Sequence, residues 1–307
     1  YETFTWAIFV QYESALDRTL GAALSLVLVG FALGIVAAES LTRGRSRYYS
    51  SGSGAARPSV PVRLGRWRWP AVAFCAAVAI ASLALPVSIL GYWVVRGVAA
   101  GEPLLIVWGN IWNSMYVSAL AAVAAVAASL PIAIVSVRYP GLFSTLAERV
   151  TYIGFALPGI AIALSLVFFG AKYATPLYQT VGLLIFAYVV LFLSPAVGAV
   201  RTSLLQISPH MEEAARSLGR SPLRVFSSVT IPLVRPGIIS GAALVFLLTM
   251  KELPATLILS PVGFTTLATS IWAATSEAFF AQAAAPALLL ILASSIPLAF
   301  LMLRERR

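Results

Sequence analysis

Long apolar runs constrain this chain more than any other feature: they fall near residues 19–38, 71–95, 114–137, 151–171, 179–200, 236–256 and 281–303. Each is close to the ~20 residues that cross a hydrocarbon core. Backbone amides inside a bilayer find no water, so such runs fold as helices whose hydrogen bonds are internal. Transmembrane strands would alternate over segments of about ten residues, and these runs do not. The chain is 60% hydrophobic and only 10% charged, where soluble domains carry roughly 25% charged residues. An all-α polytopic membrane protein with about seven transmembrane helices is the expected class.

The net charge of +10 reads as topology rather than nucleic-acid binding. Arg43, Arg45, Arg47, Arg57, Arg63, Arg66 and Arg68 share one loop; Arg201, Arg216, Arg220, Arg224 and Arg235 share another; Arg304, Arg306 and Arg307 end the chain. The intervening loops hold little beyond Arg96, Glu102, Lys172 and Glu277. Basic loops face the cytoplasm, so the first residues are expected outside and the C-terminus inside. Cys75 has no partner for an internal disulfide and His210 has no ligand companion, so no metal site of familiar spacing is expected.

Residues 39–69 are rich in Arg, Ser, Gly and Pro and read as a cytoplasmic linker. The linker ends in GRWRWP, where Trp67 and Trp69 alternate with Arg66 and Arg68 as an interfacial anchor. Displacing the start of the chain onto its end superposes Thr3 on Thr266, Ile8 on Ile271 and Phe9 on Trp272. In both copies a mixed segment precedes an apolar run. The expectation is that 1–38 is the tail of a first repeat and 70–307 a complete second one, part of something longer.

One segment breaks the apolar pattern: MEEAARSLGRSPLRVFSSVTIP, residues 211–232. Pro209 and His210 lead in, and Glu212 and Glu213 fall in a first helical turn, where carboxylates oppose the positive helix end. Ala214, Ala215 and Leu218 form a small apolar face, and Gly219 follows as a residue able to turn left-handed. Ser221 and Pro222 read as an N-cap and first position of another helix, with a stripe of Leu223, Phe226 and Val229 closed by Pro232. A helix, a turn and a helix on the cytoplasmic side present short side chains against which a partner can pack.

This segment resembles the EAA loop of ABC-transporter permease subunits. Glu213-Ala214-Ala215, Gly219 and Val229-Thr230-Ile231-Pro232 follow that family's spacing, with Val229 and Ile231 standing for its Ile and Leu. Residues 113–141, 157–169 and 201–219 are similar to the second half of tandem ferric iron permeases. So is "KELPAT", followed by Gly263-Phe264 and Thr266-Leu267-Ala268. The resemblance implies a type I importer permease core of six helices, preceded by one helix of an earlier repeat. It further implies a coupling role for 211–232 toward two separate ABC ATPase subunits that bind the ATP, and an external substrate-binding protein. A bacterial or archaeal inner membrane location and ferric iron as cargo also follow from it. Permeases for thiamine, sulfate, phosphonate or polyamine share the loop, and an ion-gradient-driven transporter is the rival class.

Two other places bear on a path through the membrane. Pro158-Gly159 opens LPGIAIALS, which reads as either tight packing or a discontinuous helix. Lys251-Glu252, just before Pro254, lies late in the sixth run. There it either snorkels or pairs structurally, or belongs to the permeation path or an external gate. No phosphate-binding glycine run and no nucleophile–base pair is present, so the chain is not expected to be an enzyme or to carry a cofactor.

Overall fold

Where the sequence runs apolar, the backbone closes its hydrogen bonds within helices; the computed structural model describes residues 3–13, 18–42, 64–102 and 108–305, and no strand occurs among them. Helix α1 spans Phe4–Glu13 and α2 Arg18–Thr42. Helix α3, Gly65–Ala99, and α4, Trp108–Arg138, follow. Next come α5 (Leu142–Ala156), α6 (Gly159–Tyr173), α7 (Val181–Leu205) and α8 (Pro209–Ser217). The chain continues as α9 (Pro222–Met250), α10 (Pro254–Leu259), α11 (Leu267–Ser276) and α12 (Phe280–Glu305).

Five of these helices are long and apolar enough to span: α3, α4, α7, α9 and α12, the last over Phe280–Ala299. In α2 the apolar stretch is Leu20–Ile35. Over the expected span at 151–171 the bounds are corrected and the discontinuous alternative is the one found: two helices, α5 and α6, meet at a 103° bend. Pro158 lacks an amide hydrogen and holds Leu157 extended (φ −71°, ψ 139°), which stops α5 there. The expected span at 236–256 is likewise corrected. It begins at Pro222 and stops at Met250, so Pro232 does not close a separate helix. A wide turn at Phe226–Thr230, with Ile231 N–H bonded to Phe226 O, absorbs the missing donor.

Helices α4, α7 and α9 pack most closely. Their shared core is built from Val117, Ala121 and Ala125 of α4, Ala187, Tyr188 and Leu191 of α7, and Val245 of α9. Without a solvent to drive them together, spans adhere through close packing, and the alanines permit it. A smaller cluster of Ala133, Val200, Leu204 and Val234 holds the end of the bundle where α4 and α7 finish and α9 begins. None of the apolar window of α3 is buried; Cys75, on that helix, is exposed, and Trp67 and Trp69 stand out at its start.

Candidate functional site

The polar segment forms an elbow whose shape is written in three residues. Ser208 is extended (φ −63°, ψ 133°) ahead of Pro209 at the first position of α8. Glu212 lies in that first turn and Glu213 one residue beyond it, so only the former takes the expected place. Gly219 adopts φ +81°, a left-handed conformation that side chains with a Cβ resist. Its N–H donates to Arg216 O at 2.9 Å, and Arg220 N–H to Ala215 O at 3.3 Å. Together these bonds complete a Schellman helix end. Ser221 then occupies the N-cap place (φ −65°, ψ 154°) with Pro222 next, although its hydroxyl makes no capping bond.

Burial divides the expected apolar face. Ala215 and Val225 turn inward, whereas Ala214 is exposed, Leu218 is 84% exposed and Leu223 76%. Leu223 therefore does not join an inward stripe with Phe226 and Val229, which are half-buried. The reason is local. The left-handed turn at Gly219 and the extended Ser221 reverse the chain, so both leucines stay on its outer surface. Two large aliphatic side chains on an otherwise polar elbow suit a protein partner.

Glu212 anchors this elbow, which the sequence does not reveal. Its Oε1 lies 3.1 Å from Arg138 Nη2 and accepts the Thr230 hydroxyl at 3.2 Å. The Arg138 guanidinium also donates through both Nη atoms to Ile207 O at 3.3 Å. The last turn of α4, the entry to α8 and the wide turn of α9 thereby meet at one carboxylate. A cavity of about 310 Å3 beneath the elbow is lined by Arg138, Glu212, Val225 and Thr230. Glu213 instead faces outward, bonded to His210 Nδ1 at 2.9 Å, and both are well exposed.

On the other side of the bundle, residues distant in sequence converge. A Cβ on Gly159 would sit 2.8 Å from Glu252 Oε1 and 3.8 Å from Pro254 Cβ, so the start of α6 lies directly against the break between α9 and α10. Glu252 Oε1 accepts Ala255 N–H at 3.2 Å. Thr256 Oγ1 donates to Glu252 O at 2.6 Å and pairs with Tyr188 Oη at 2.7 Å. Pro158, Gly159, Glu252 and Pro254 are thus one assembly. Lys251 is exposed and no ion pair joins it to Glu252, so the two charges neither pair nor share an environment.

Beyond this junction lies a cavity of about 510 Å3, bordered by Asn110, Thr265, Ser270, Trp272, Glu277 and Gln282. Asn110 organises one wall: its Nδ2 donates to Ser270 Oγ and its Oδ1 accepts from Thr265 Oγ1, each at 2.5 Å. Nothing in the local sequence marks Asn110, because its partners lie far along the chain. Among the described residues no three His, Cys, Asp or Glu side chains group as metal ligands.

A model of the family described as binding-protein-dependent transport system inner membrane component matches residues 125–307. The chain is 38% identical over 301 residues to the Fe(3+)-transport system permease protein FbpB 2 of Haemophilus influenzae, covering 97% of this chain and 59% of that protein. It thus spans less than two thirds of that relative's length. It is 32% identical over 159 residues to a putative 2-aminoethylphosphonate transport system permease protein PhnV of Salmonella typhimurium, covering 52% of this chain and 59% of the relative. Among solved structures, a chain of the MetNI methionine ABC transporter in inward-facing conformations superposes with a TM-score of 0.50. Identity is 18%, over 62% of this chain and 90% of that one, which is a likeness of fold.

Proposed function

Because the chain belongs to the family of binding-protein-dependent transport system inner membrane components, we propose that it moves ferric iron across the inner membrane by alternating access, coupled through the 211–232 elbow to two separate ATPase subunits. As a transport permease subunit it is not itself an enzyme; hydrolysis would belong to those partners. The observation that carries the coupling role is the elbow itself. Leu218 and Leu223 project from a Schellman turn, while Glu212 ties the turn to α4 and α9. A push on the exposed leucines is transmitted to the spans rather than lost in a flexible loop. On the outer side, Pro158, Gly159, Glu252 and Pro254 close a path at the breaks of two helices, and a substrate-binding protein would deliver cargo to that face.

Iron as cargo rests on the match to the Haemophilus influenzae permease over 97% of this chain. Relatives named for phosphonate, putrescine and molybdenum transport match shorter stretches, 52%, 22% and 49% of it. The two-repeat reading draws support from α1 and α11. Each has ten residues and each precedes a long apolar helix, of 25 and 26 residues. Their Trp6 and Trp272 rings lie 6.2 Å apart. In this reading 1–38 closes one permease half and 70–307 forms the other, with the N-terminal residues outside and the C-terminus inside.

The test is reconstitution in vesicles with the cognate ATPase and binding protein. ATP-dependent accumulation of radioactive iron is expected, with competing phosphonate, putrescine and molybdate without effect. Accumulation of one of those solutes instead of iron overturns the cargo, and ATP-independent accumulation overturns the class.

A further inference from the structure

Helices carrying serine in an apolar setting commonly bind the hydroxyl back to their own backbone, and most serines here do so. The hydroxyls of Ser25, Ser82, Ser114, Ser165 and Ser294 each donate to the carbonyl four residues before. Ser118, one turn after Ser114 on α4, does not. It is 1% exposed, and its Oγ has no hydrogen-bond partner in the protein. The side chain borders a small chamber together with Ser114, Tyr188, Thr249, Glu252 and Thr266. The free volume admits a single water-sized guest, and the walls offer the several polar groups such a guest requires.

The hydrogen-bond directions around the chamber narrow what that guest is. Thr256 Oγ1 gives its proton to Glu252 O, so in its contact with Tyr188 the phenol is the donor. Thr249 Oγ1 spends its proton on Val245 O, and Ser114 Oγ spends its own on Asn110 O while accepting Leu267 N–H. Thr266 Oγ1 likewise gives its proton to Thr269 Oγ1, whose own proton goes to Thr266 O, so what remains is one free donor, Ser118, and acceptors among the other groups, Glu252, Thr249 and Tyr188 included. A guest that accepts one hydrogen bond and donates two matches this set, and water does so.

We propose that the chamber holds one ordered water, and that through it Ser118 positions the Glu252 carboxylate against Gly159 and Ala255. Ser118 thereby becomes a positioning residue for the outer closure, linking α4 to the point where α6 and α10 begin. The positioning role rests on the reading of that junction as part of the transport path; the water itself does not. An ordered water hydrogen-bonded at this place satisfies a hydroxyl that is 1% exposed and has no partner in the protein.

Radiolytic hydroxyl labelling of the purified full chain tests the water, since a bound water generates radicals beside side chains that bulk solvent does not reach. Met250 borders the chamber and is 2% exposed. Rapid oxidation of Met250 is expected, with a several-fold fall in both Ser118→Ala and Glu252→Gln and no further fall in the double variant. A Met250 protected in the unaltered protein, or labelling that Ser118→Ala leaves unchanged, overturns the proposal. In the reconstituted transporter the two single variants should slow uptake by similar factors, and the double variant should be no slower than Glu252→Gln. Factors that multiply overturn the positioning role, as does a loss of melting temperature in Ser118→Ala that accounts for its lost uptake. Failure of transport altogether counts against the proposed function and leaves the labelling result standing.

Discussion

At the elbow around Glu212 and at the junction around Glu252 the chain uses the same materials, a glutamate beside prolines and a glycine, to different ends. Glu212 reaches sideways to Arg138 and Thr230, so it fixes the elbow from beneath and leaves Leu218 and Leu223 free above. Glu252 turns inward, caps Ala255 and fills the space that a side chain on Gly159 would need. One glutamate presents a surface; the other closes a seam. Glycine differs in parallel. Gly219 is needed for its left-handed backbone, whereas Gly159 is needed because it has no Cβ. A residue type therefore indicates little until its reason is known, and the two reasons predict different responses to the same substitution.

The sharpest way to break the comparison is to alter the exposed surface alone. Replacing Leu218 and Leu223 together by glutamate should abolish ATP-driven uptake, a loss of more than tenfold, while the melting temperature stays put, because exposed substitutions typically change stability within about 0.5 kcal/mol. A matching loss of thermal stability would mean that these leucines belong to the core. Next in size is Glu212→Ala, which strands Arg138 at a site where the two side chains are 11% and 13% exposed. Breaking such a pair should lower stability by about 3 kcal/mol, the low end for a buried pair, visible as a lower melting temperature together with weaker ATPase retention on size exclusion.

Gly159→Ala comes third. Its Cβ would meet Glu252 Oε1 at 2.8 Å, and overpacking of this kind costs about 1–3 kcal/mol. Uptake should fall while retention of the ATPase stays unchanged, the reverse of the elbow variants. Smallest is His210→Ala. The pair with Glu213 is 88% and 66% exposed, so a change within about 0.5 kcal/mol is expected, and a larger shift in a thermal melt would show that Glu213 is anchored after all.

How much of this was legible in the sequence follows from the same contrast. The elbow is contiguous, and its turn depends on residues within a few positions of one another. Gly219, Ser221 and Pro222 therefore stood where the spacing put them. The anchor was hidden, because Arg138 lies 74 residues before Glu212 and nothing local connects them. The junction around Glu252 was legible only as fragments. Pro158 marked a weakness at 157–165 and Glu252 an unusual charge, but their meeting is a product of packing. The apolar runs alone left the breaks and bounds of the helices open. A run can be continuous in hydropathy and still bend by 103° at a proline, and Pro232 can lie inside a helix when a wide turn precedes it.

The central claim is that the elbow's outer surface is where the ATPase engages. In a Cys75→Ala background, which removes the single cysteine of this sequence, Leu218→Cys can be paired with single cysteines along the groove of the cognate ATPase and oxidised in membranes. Cross-linking at Leu218 in high yield, changing when ATP is bound, with none from Lys251→Cys on the opposite side of the bundle, is the predicted result. Absence of any Leu218 cross-link in vesicles that still accumulate solute on ATP would contradict the account.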